Sequence, residues 1–358
     1  MKKRISIVTW LGDGNYGTAL QAFALKHKLE LLGCEAQLLY KIGVVRSIRE
    51  TVGKIFGKKK SLSRSEKVME EFWRKYGNVR NVYSILPKYR LRRETDLFLN
   101  GSDQVWNTYF YFDPFYFIAF AGNDRRAAYA SSIGTDSVNP KYRGRVSFYL
   151  SKFSHIGVRE ESGVKALTNL TGRKDIRQVV DPTFLLSSDD WKNFLNDTNP
   201  EQSIEGGYML VYLIGKNEEY QSQVDEIAQR SGLKQIVVIE SKESGDFVKG
   251  TKNIKDQNPL EFVRLIEGAS LVCTDSFHAT ALSMNMNRDF VVLKRFKDSD
   301  KASQNSRLYD LLERYDVKDR LYNPSSALNK IDYNRLNERL SKDIADSEEF
   351  LIREIENR

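Results

Sequence analysis

His278 stands in the stretch Leu271-Val272-Cys273-Thr274-Asp275-Ser276-Phe277-His278-Ala279-Thr280, where an apolar run passes through a polar turn into a second apolar run. The pattern predicts a short buried strand, a Ser-Phe-His turn, and a helix continuing through Ala281, Leu282 and Met284. The first amides of a helix lack intrahelical acceptors and, with the helix dipole, favour an anion. A histidine exchanges protons near neutral pH. An acid/base group beside an anion site suits chemistry on a phosphate or carboxylate substrate. The alternative is that His278 caps its own helix. Cations fall at comparable places: Arg159 closes the run Ile156-Gly157-Val158, and Lys294, Arg295 and Lys297 follow Phe290–Leu293. Arg159 either offers its guanidinium to an anion or pairs with the glutamate beside it; the other three either clamp an anion or are solvated.

Two further polar stretches follow predicted strands. Gly12-Asp13-Gly14-Asn15-Tyr16-Gly17 opens the first helix, and its glycines let backbone amides approach a ligand. It is not the dinucleotide fingerprint, because Tyr40 and Lys41 stand where the second strand would supply an acid. Gly101-Ser102-Asp103-Gln104-Val105-Trp106-Asn107 is dense in hydrogen-bonding groups, with Trp106 as a stacking face for a sugar or base. Its alternative is a turn stabilised by Asp103.

The elements that must position these groups alternate. Strands are predicted at 5–10, 35–40, 95–100, 126–131, 155–158 and 178–180, with helices at 18–32, 143–153 and 160–167. The pattern restarts with strands at 208–214, 235–239, 269–273 and 290–293 and helices at 218–229 and 260–267. Repeated β-α-β units imply parallel sheets with helices on both faces. The expected division is a Rossmann-like domain over 1–186, a linker region over 187–207, a second Rossmann-like domain over 208–332, and a C-terminal helix over 333–358.

A 358-residue chain that is 41% hydrophobic and 29% charged suits a folded two-domain protein rather than a disordered one. No run approaches the roughly 18 apolar residues of a membrane span. The basic head Met1–Arg4 leads into an apolar run that stops at Gly12-Asp13-Gly14, too short for a signal peptide, and two cysteines without metal spacing predict a cytoplasmic protein. Cys34 and Cys273 sit in apolar company as expected for reduced, packed thiols, and three scattered histidines predict no metal site. Charge is concentrated: residues 41–67 hold nine basic and two acidic side chains, a net +7 of the chain's +8. Val45, Ile48, Val52 and Ile55 give this segment an apolar stripe, so it reads as a basic amphipathic helix. It either lies on an anionic membrane surface, peripheral to the inner face of the cell membrane, or faces the core with solvated lysines. No nucleic-acid motif accompanies it, so nucleic acid is not an expected partner.

In order along the chain come Asn15-Tyr16-Gly17-x-x-Leu20-Gln21, Gly101-Ser102-Asp103-Gln104-x-Trp106-Asn107, Ala130-Ser131-x-x-Gly134, Val158-Arg159-Glu160-x-Ser162, Val180-Asp181-Pro182-Thr183, Ser276-Phe277-His278 and Asn305-Ser306-Arg307. With these seven marks the chain resembles the polysaccharide pyruvyl transferase family over nearly its whole length. The resemblance implies a GT-B-like α/β fold of two Rossmann-like domains facing a cleft. It also implies transfer of the pyruvyl group of phosphoenolpyruvate onto two sugar hydroxyls, with no cofactor. His278 would be the general acid/base and Arg159 the anion clamp. Ser276, Phe277 and Ala279 would bind the donor, and Lys294, Arg295 and Lys297 are further cation candidates for it, placed by their position after a strand rather than by a motif of the family. Asn15, Tyr16, Asp103, Gln104, Trp106 and Asn107 would face the acceptor, a lipid-linked oligosaccharide or other glycan. Ala279 departs from the glycine common at that place. A glycosyltransferase using a nucleotide sugar is the second reading, and a non-catalytic scaffold that binds a membrane or partner through 41–67 the third.

Overall fold

Strand, helix and strand succeed one another through both halves of the protein. The computed structural model describes residues 2–12, 14–43, 62–83, 86–122, 124–196, 198, 204–240, 248–297, 303–325 and 328–356. It divides into two compact units: Met1–Asp13, Ala22–Val179 and Glu348–Arg358 form the first, and Gly14–Gln21 with Val180–Ser347 the second.

The first unit carries β1 (Arg4–Val8), most of α1 (Tyr16–Leu31), β2 (Glu35–Ile42), α2 (Arg64–Tyr76), β3 (Val79–Tyr83), α3 (Tyr89–Arg93), β4 (Leu97–Asn100), β5 (Arg126–Ser131), α4 (Arg143–Leu150), β6 (Ile156–Val158), α5 (Glu161–Thr171) and β7 (Ile176–Gln178). Its seven strands form one sheet in the order β3-β2-β1-β4-β5-β6-β7, and every pairing is parallel. Helices cover parallel sheets on both faces, so central strands are apolar throughout. All residues of β4 and β5 are buried accordingly. The strand order reverses between β1 and β4, and loops at the strand C-terminal ends of such a switch point are where these folds place ligands.

The second unit carries α6 (Ser188–Leu195), β8 (Tyr208–Tyr212), α7 (Tyr220–Ser231), β9 (Gln235–Ile239), β10 (Lys252–Ile254), α8 (Pro259–Gly268), β11 (Leu271–Thr274), α9 (Phe277–Asn285), β12 (Phe290–Val292), α10 (Ser306–Arg314) and α11 (Tyr333–Glu356). Its sheet is also parallel, in the order β10-β9-β8-β11-β12. Met209, Val211, Val238, Cys273 and Val291 form its inner layer with Val224 and Ile227 of α7.

The observed units depart from the expected domains in identifiable ways. The stretch read as a linker holds α6, started by a capping box in which Ser187 and Asp190 satisfy each other's backbone N–H groups. Trp191 of that helix is fully buried, its indole N–H donating to Thr183 O at 3.1 Å. The end of α11 returns to the first unit, where the buried Glu354 carboxylate lies 2.6 Å from His155 Nδ1 and accepts the Ser154 hydroxyl at 3.2 Å. Residues 14–21 join the second unit because Tyr16 stacks on Phe262 at 5.1 Å.

Most of the basic helix expected over 41–67 lies outside the described residues. At its margins, Lys41 belongs to β2 and is ion-paired with Asp113, while Arg64 and Lys67 lie in α2, which Ser63 and Glu66 cap. The edge strands β3 and β10 are not signalled by the sequence, since VRNVY and KNI are short and interrupted by Arg80, Asn81, Lys252 and Asn253, as edges often are. Among the described residues no helix is long and apolar enough to cross a membrane.

Candidate active site in the second unit

His278 sits in the first turn of α9, directly after the buried strand β11, in the place its sequence predicts. The helix starts there because Ser276 is an N-cap: its backbone is extended and its hydroxyl accepts the Ala279 N–H at 3.4 Å. Ser276 therefore holds the turn through its acceptor oxygen, a contact that does not use its own O–H proton. Ala279 has ordinary helical surroundings, and its carbonyl accepts the Ser283 hydroxyl at 2.8 Å. Phe277 is buried, with its ring edge-on to the imidazole.

Asp181 and Gly17 also lie against the imidazole. Its Nε2 lies 3.5 Å from Asp181 Oδ2, and the side chains are 7% and 0% exposed. The other carboxylate oxygen of Asp181 accepts the Thr183 N–H at 3.0 Å and the Thr183 hydroxyl at 2.8 Å, which fixes the acid's orientation. On the remaining side is Gly17, at the start of α1 and part of the same unit. A Cβ on Gly17 would fall 2.5 Å from His278 Cβ and Nδ1 and 2.6 Å from Cγ. Only glycine leaves room for this ring position. Helix α9 also secures the turn that carries Asp181, since Asn285 Nδ2 donates to Thr183 O at 2.8 Å and to Leu186 O at 2.9 Å. The acid and the imidazole are thus tied to the two ends of one helix.

Asp275, one residue before the N-cap, is a buried hub. It accepts the Ile214 and Gly215 N–H groups and the Tyr220 hydroxyl, each at 2.8 Å, and Arg295 Nε at 3.1 Å. Arg295 is accordingly committed to a carboxylate and to Asp275 O, at 3.0 Å, instead of forming an anion clamp. Burial works against its charge, but Asp275 prevails and raises its pKa. Lys294 and Lys297 are exposed, with Lys294 Nζ 5.8 Å from the centre of the Tyr309 ring. Asn305 fixes the segment between them, accepting the Phe296 N–H at 3.3 Å and donating to Phe296 O at 2.8 Å.

The remaining expected site residues have structural partners. Tyr16 is buried against Phe262 and Tyr212, and its hydroxyl accepts the Gln257 N–H at 3.1 Å. Burial pushes its phenol up to about 12, despite that hydrogen bond. Asn15 Oδ1 accepts the Thr18 N–H at 3.2 Å and caps α1.

In the first unit, Arg159 is 1% exposed at its side chain and its Nε donates to Glu160 Oε1 at 2.6 Å, which is the ion-pair alternative. Trp106 is 1% exposed, stacked on Phe117 at 5.7 Å, with its N–H on Tyr116 O; it packs the core and presents no stacking face. Asn107 Nδ2 donates to Gln104 Oε1 at 2.8 Å, and Asp103 Oδ1 accepts the Gln104 N–H at 2.8 Å. Gly134, at φ 71°, makes room for this pair: a Cβ there would be 2.1 Å from Gln104 Oε1. The two glycine-bearing marks of this unit are therefore halves of one built loop.

In the sequence, Asp181 and Gly17 stand within motifs that show no role at His278, and nothing there marks Asp275 or Asn285. The Asp-Pro-Thr spacing signals a turn. It carries no signal for a contact almost a hundred positions away.

A family model described as polysaccharide pyruvyl transferase matches residues 15–295. No curated protein matches the sequence significantly. Among solved structures, UDP-GlcNAc 2-epimerase from Neisseria meningitidis, bound to UDP-GlcNAc, is similar at TM-score 0.51 and 10% identity, covering 99% of this chain and 94% of that one. A glycosyltransferase from Rickettsia africae ESF-5 has TM-score 0.49 at 8% identity and full coverage of both chains (100% and 100%). The UDP-GlcNAc 2-epimerase from Methanocaldococcus jannaschii has TM-score 0.48 at 13% identity, over 96% of this chain and 100% of that one. The likeness to the first of these is one of fold, the two-domain α/β architecture of GT-B type.

Proposed function

The chain belongs to the polysaccharide pyruvyl transferase family, and on that premise we propose that it transfers the pyruvyl group of phosphoenolpyruvate to two hydroxyls of a sugar in a surface-polysaccharide precursor. The products are a cyclic ketal and phosphate. The observation that carries this reading is the buried His278–Asp181 pair at the start of α9.

The reaction balances without a redox step. The methylene carbon of the donor takes a proton, and one sugar oxygen bonds to the adjacent carbon. Phosphate leaves with the C–O electron pair, and the second oxygen closes the ring. Of the two hydroxyl protons, one ends on the new methyl group and the other on phosphate. A single histidine can pass these protons in turn if it reaches the reacting atoms. Asp181 supports it by fixing the ring and facing the imidazolium that forms when His278 takes up a second proton. Near the second sheet, the exposed Lys294 and Lys297 are the candidates for the donor's anionic groups, because Arg295 already serves Asp275.

The test is ketal formation from labelled phosphoenolpyruvate against a panel of short glycoside acceptors, with phosphate release measured in parallel. Wild type should yield ketal and phosphate in equal amounts, and His278→Ala should lose about 100- to 10,000-fold in turnover. Normal turnover in His278→Ala would remove the acid/base assignment. Sugar transfer from a nucleotide sugar, without consumption of phosphoenolpyruvate, would replace the reading with glycosyl transfer.

A further inference from the structure

We propose that loop 108–112 and helix α4 of the first unit form a docking surface for an anionic lipid bilayer. Two phenylalanines stand out from this surface: Phe110 is 75% exposed and Phe148 60%. Tyr109 and Tyr111 beside them are 40% and 50% exposed. Loop and helix are parts of one face. The Arg145 guanidinium lies 4.5 Å from the centre of the Phe112 ring, which stacks on Tyr142 at 4.4 Å, and the Tyr109 hydroxyl is 3.2 Å from Ser137 Oγ. Val146 and Leu150 anchor the helix from beneath.

The charge on this face is mainly basic, with the exposed Asp136 at its margin beside Ser137. Lys141, Arg143, Arg145 and Lys152 are all exposed, and no acidic residue occurs between Ser137 and Phe153. Lys141 and Lys152 lie over the Tyr142 and Phe148 rings at 5.4 and 5.2 Å, so cations and aromatic rings share the surface. The nearest acid of the loop, Asp113, is buried and already paired with Lys41.

That combination fits a bilayer better than a glycan. The two most exposed rings are phenylalanines, which have no polar edge for a sugar hydroxyl but gain from contact with the acyl boundary. Tyrosines settle at the headgroup level, and each basic side chain near an anionic leaflet strengthens attachment. The surface is separate in sequence from the basic segment 41–67, and the proposal does not rest on the identity of the pyruvyl donor.

The experiment is co-sedimentation of the full chain, without donor, with vesicles of phosphatidylcholine alone or with added phosphatidylglycerol. Two variants are compared: Phe110→Ser with Phe148→Ser, and Lys141→Gln with Arg143→Gln and Lys152→Gln. Wild type should sediment with the anionic vesicles only. The triple charge variant should lose roughly 100-fold in partitioning at low salt, and the double aromatic variant roughly tenfold. Circular dichroism and an unchanged thermal unfolding midpoint serve as folding controls. Wild-type binding retained by both variants would overturn the proposal by placing attachment elsewhere. So would equal binding to neutral vesicles, no vesicle binding, or loss in the variants of binding to a soluble acidic glycan alone.

Discussion

At the scale of single residues, the site turns on space as much as on charge. Gly17 lies against the His278 ring so closely that a methyl group cannot be added without moving one of them. Gly17→Ala should cost about 1–3 kcal/mol through overpacking, and should lower turnover through displacement of the imidazole. Thermal melting and initial rates measured together would separate these effects. Asp181→Asn is the complementary change. The amide oxygen can still accept from Thr183, while an NH2 group replaces the oxygen facing Nε2. The expected result is a stable protein with reduced turnover, and a wild-type rate would show that the carboxylate is not needed. Arg159 behaves differently. Breaking its buried pair with Glu160 leaves an unpaired buried charge, so Arg159→Ala should destabilise the protein by about 3–5 kcal/mol, measurable by denaturant unfolding. The place of His278 at a helix start and the alternative pairing of Arg159 are legible in the sequence. The exclusion of Trp106 is not, because a tryptophan in a polar loop gives no sign of which side of that loop is packed.

At the scale of elements, local signals and long-range partners divide the credit. Gly33, at φ 82°, ends α1 as its position predicts, and β5 and β9 occupy their expected residues. Helix α6 escaped because Ser187 to Gly207 reads as polar, although Ser187 and Asp190 spell a capping box. Ser187→Ala should lower stability by about 1 kcal/mol, seen as a shift in the denaturation midpoint without a change in slope. Asp113 gives a pH-dependent prediction in the first unit. Burial pushes its carboxyl up, but the hydrogen bonds from Lys41, the Phe115 N–H and the Tyr111 hydroxyl prevail and hold it below the usual range. Its contribution is therefore present above the unfolded value and lost as pH falls through the lowered one. The stability gap between wild type and Asp113→Asn should be constant above about pH 5, where the unfolded carboxyl is ionised, and narrow as pH falls through the lowered folded value. A gap that persists at the acid end would contradict the assignment.

For the whole molecule, β-α-β alternation was enough to predict two parallel sheets, because the period of apolar residues encodes local structure. It could not assign residues 14–21 to the second unit or the end of α11 to the first, since Tyr16 on Phe262 and Glu354 beside His155 are contacts between distant positions. The first of these matters for function: it brings Gly17 into the unit that holds His278. What that unit binds is tested by thermal unfolding of the wild-type protein with phosphoenolpyruvate or a series of nucleotide sugars. A ligand of the native state stabilises it by about 2.7 kcal/mol when free at a hundred times its Kd. The account predicts a rise in Tm with phosphoenolpyruvate and none with nucleotide sugars, whereas a rise with a nucleotide sugar alone would contradict it.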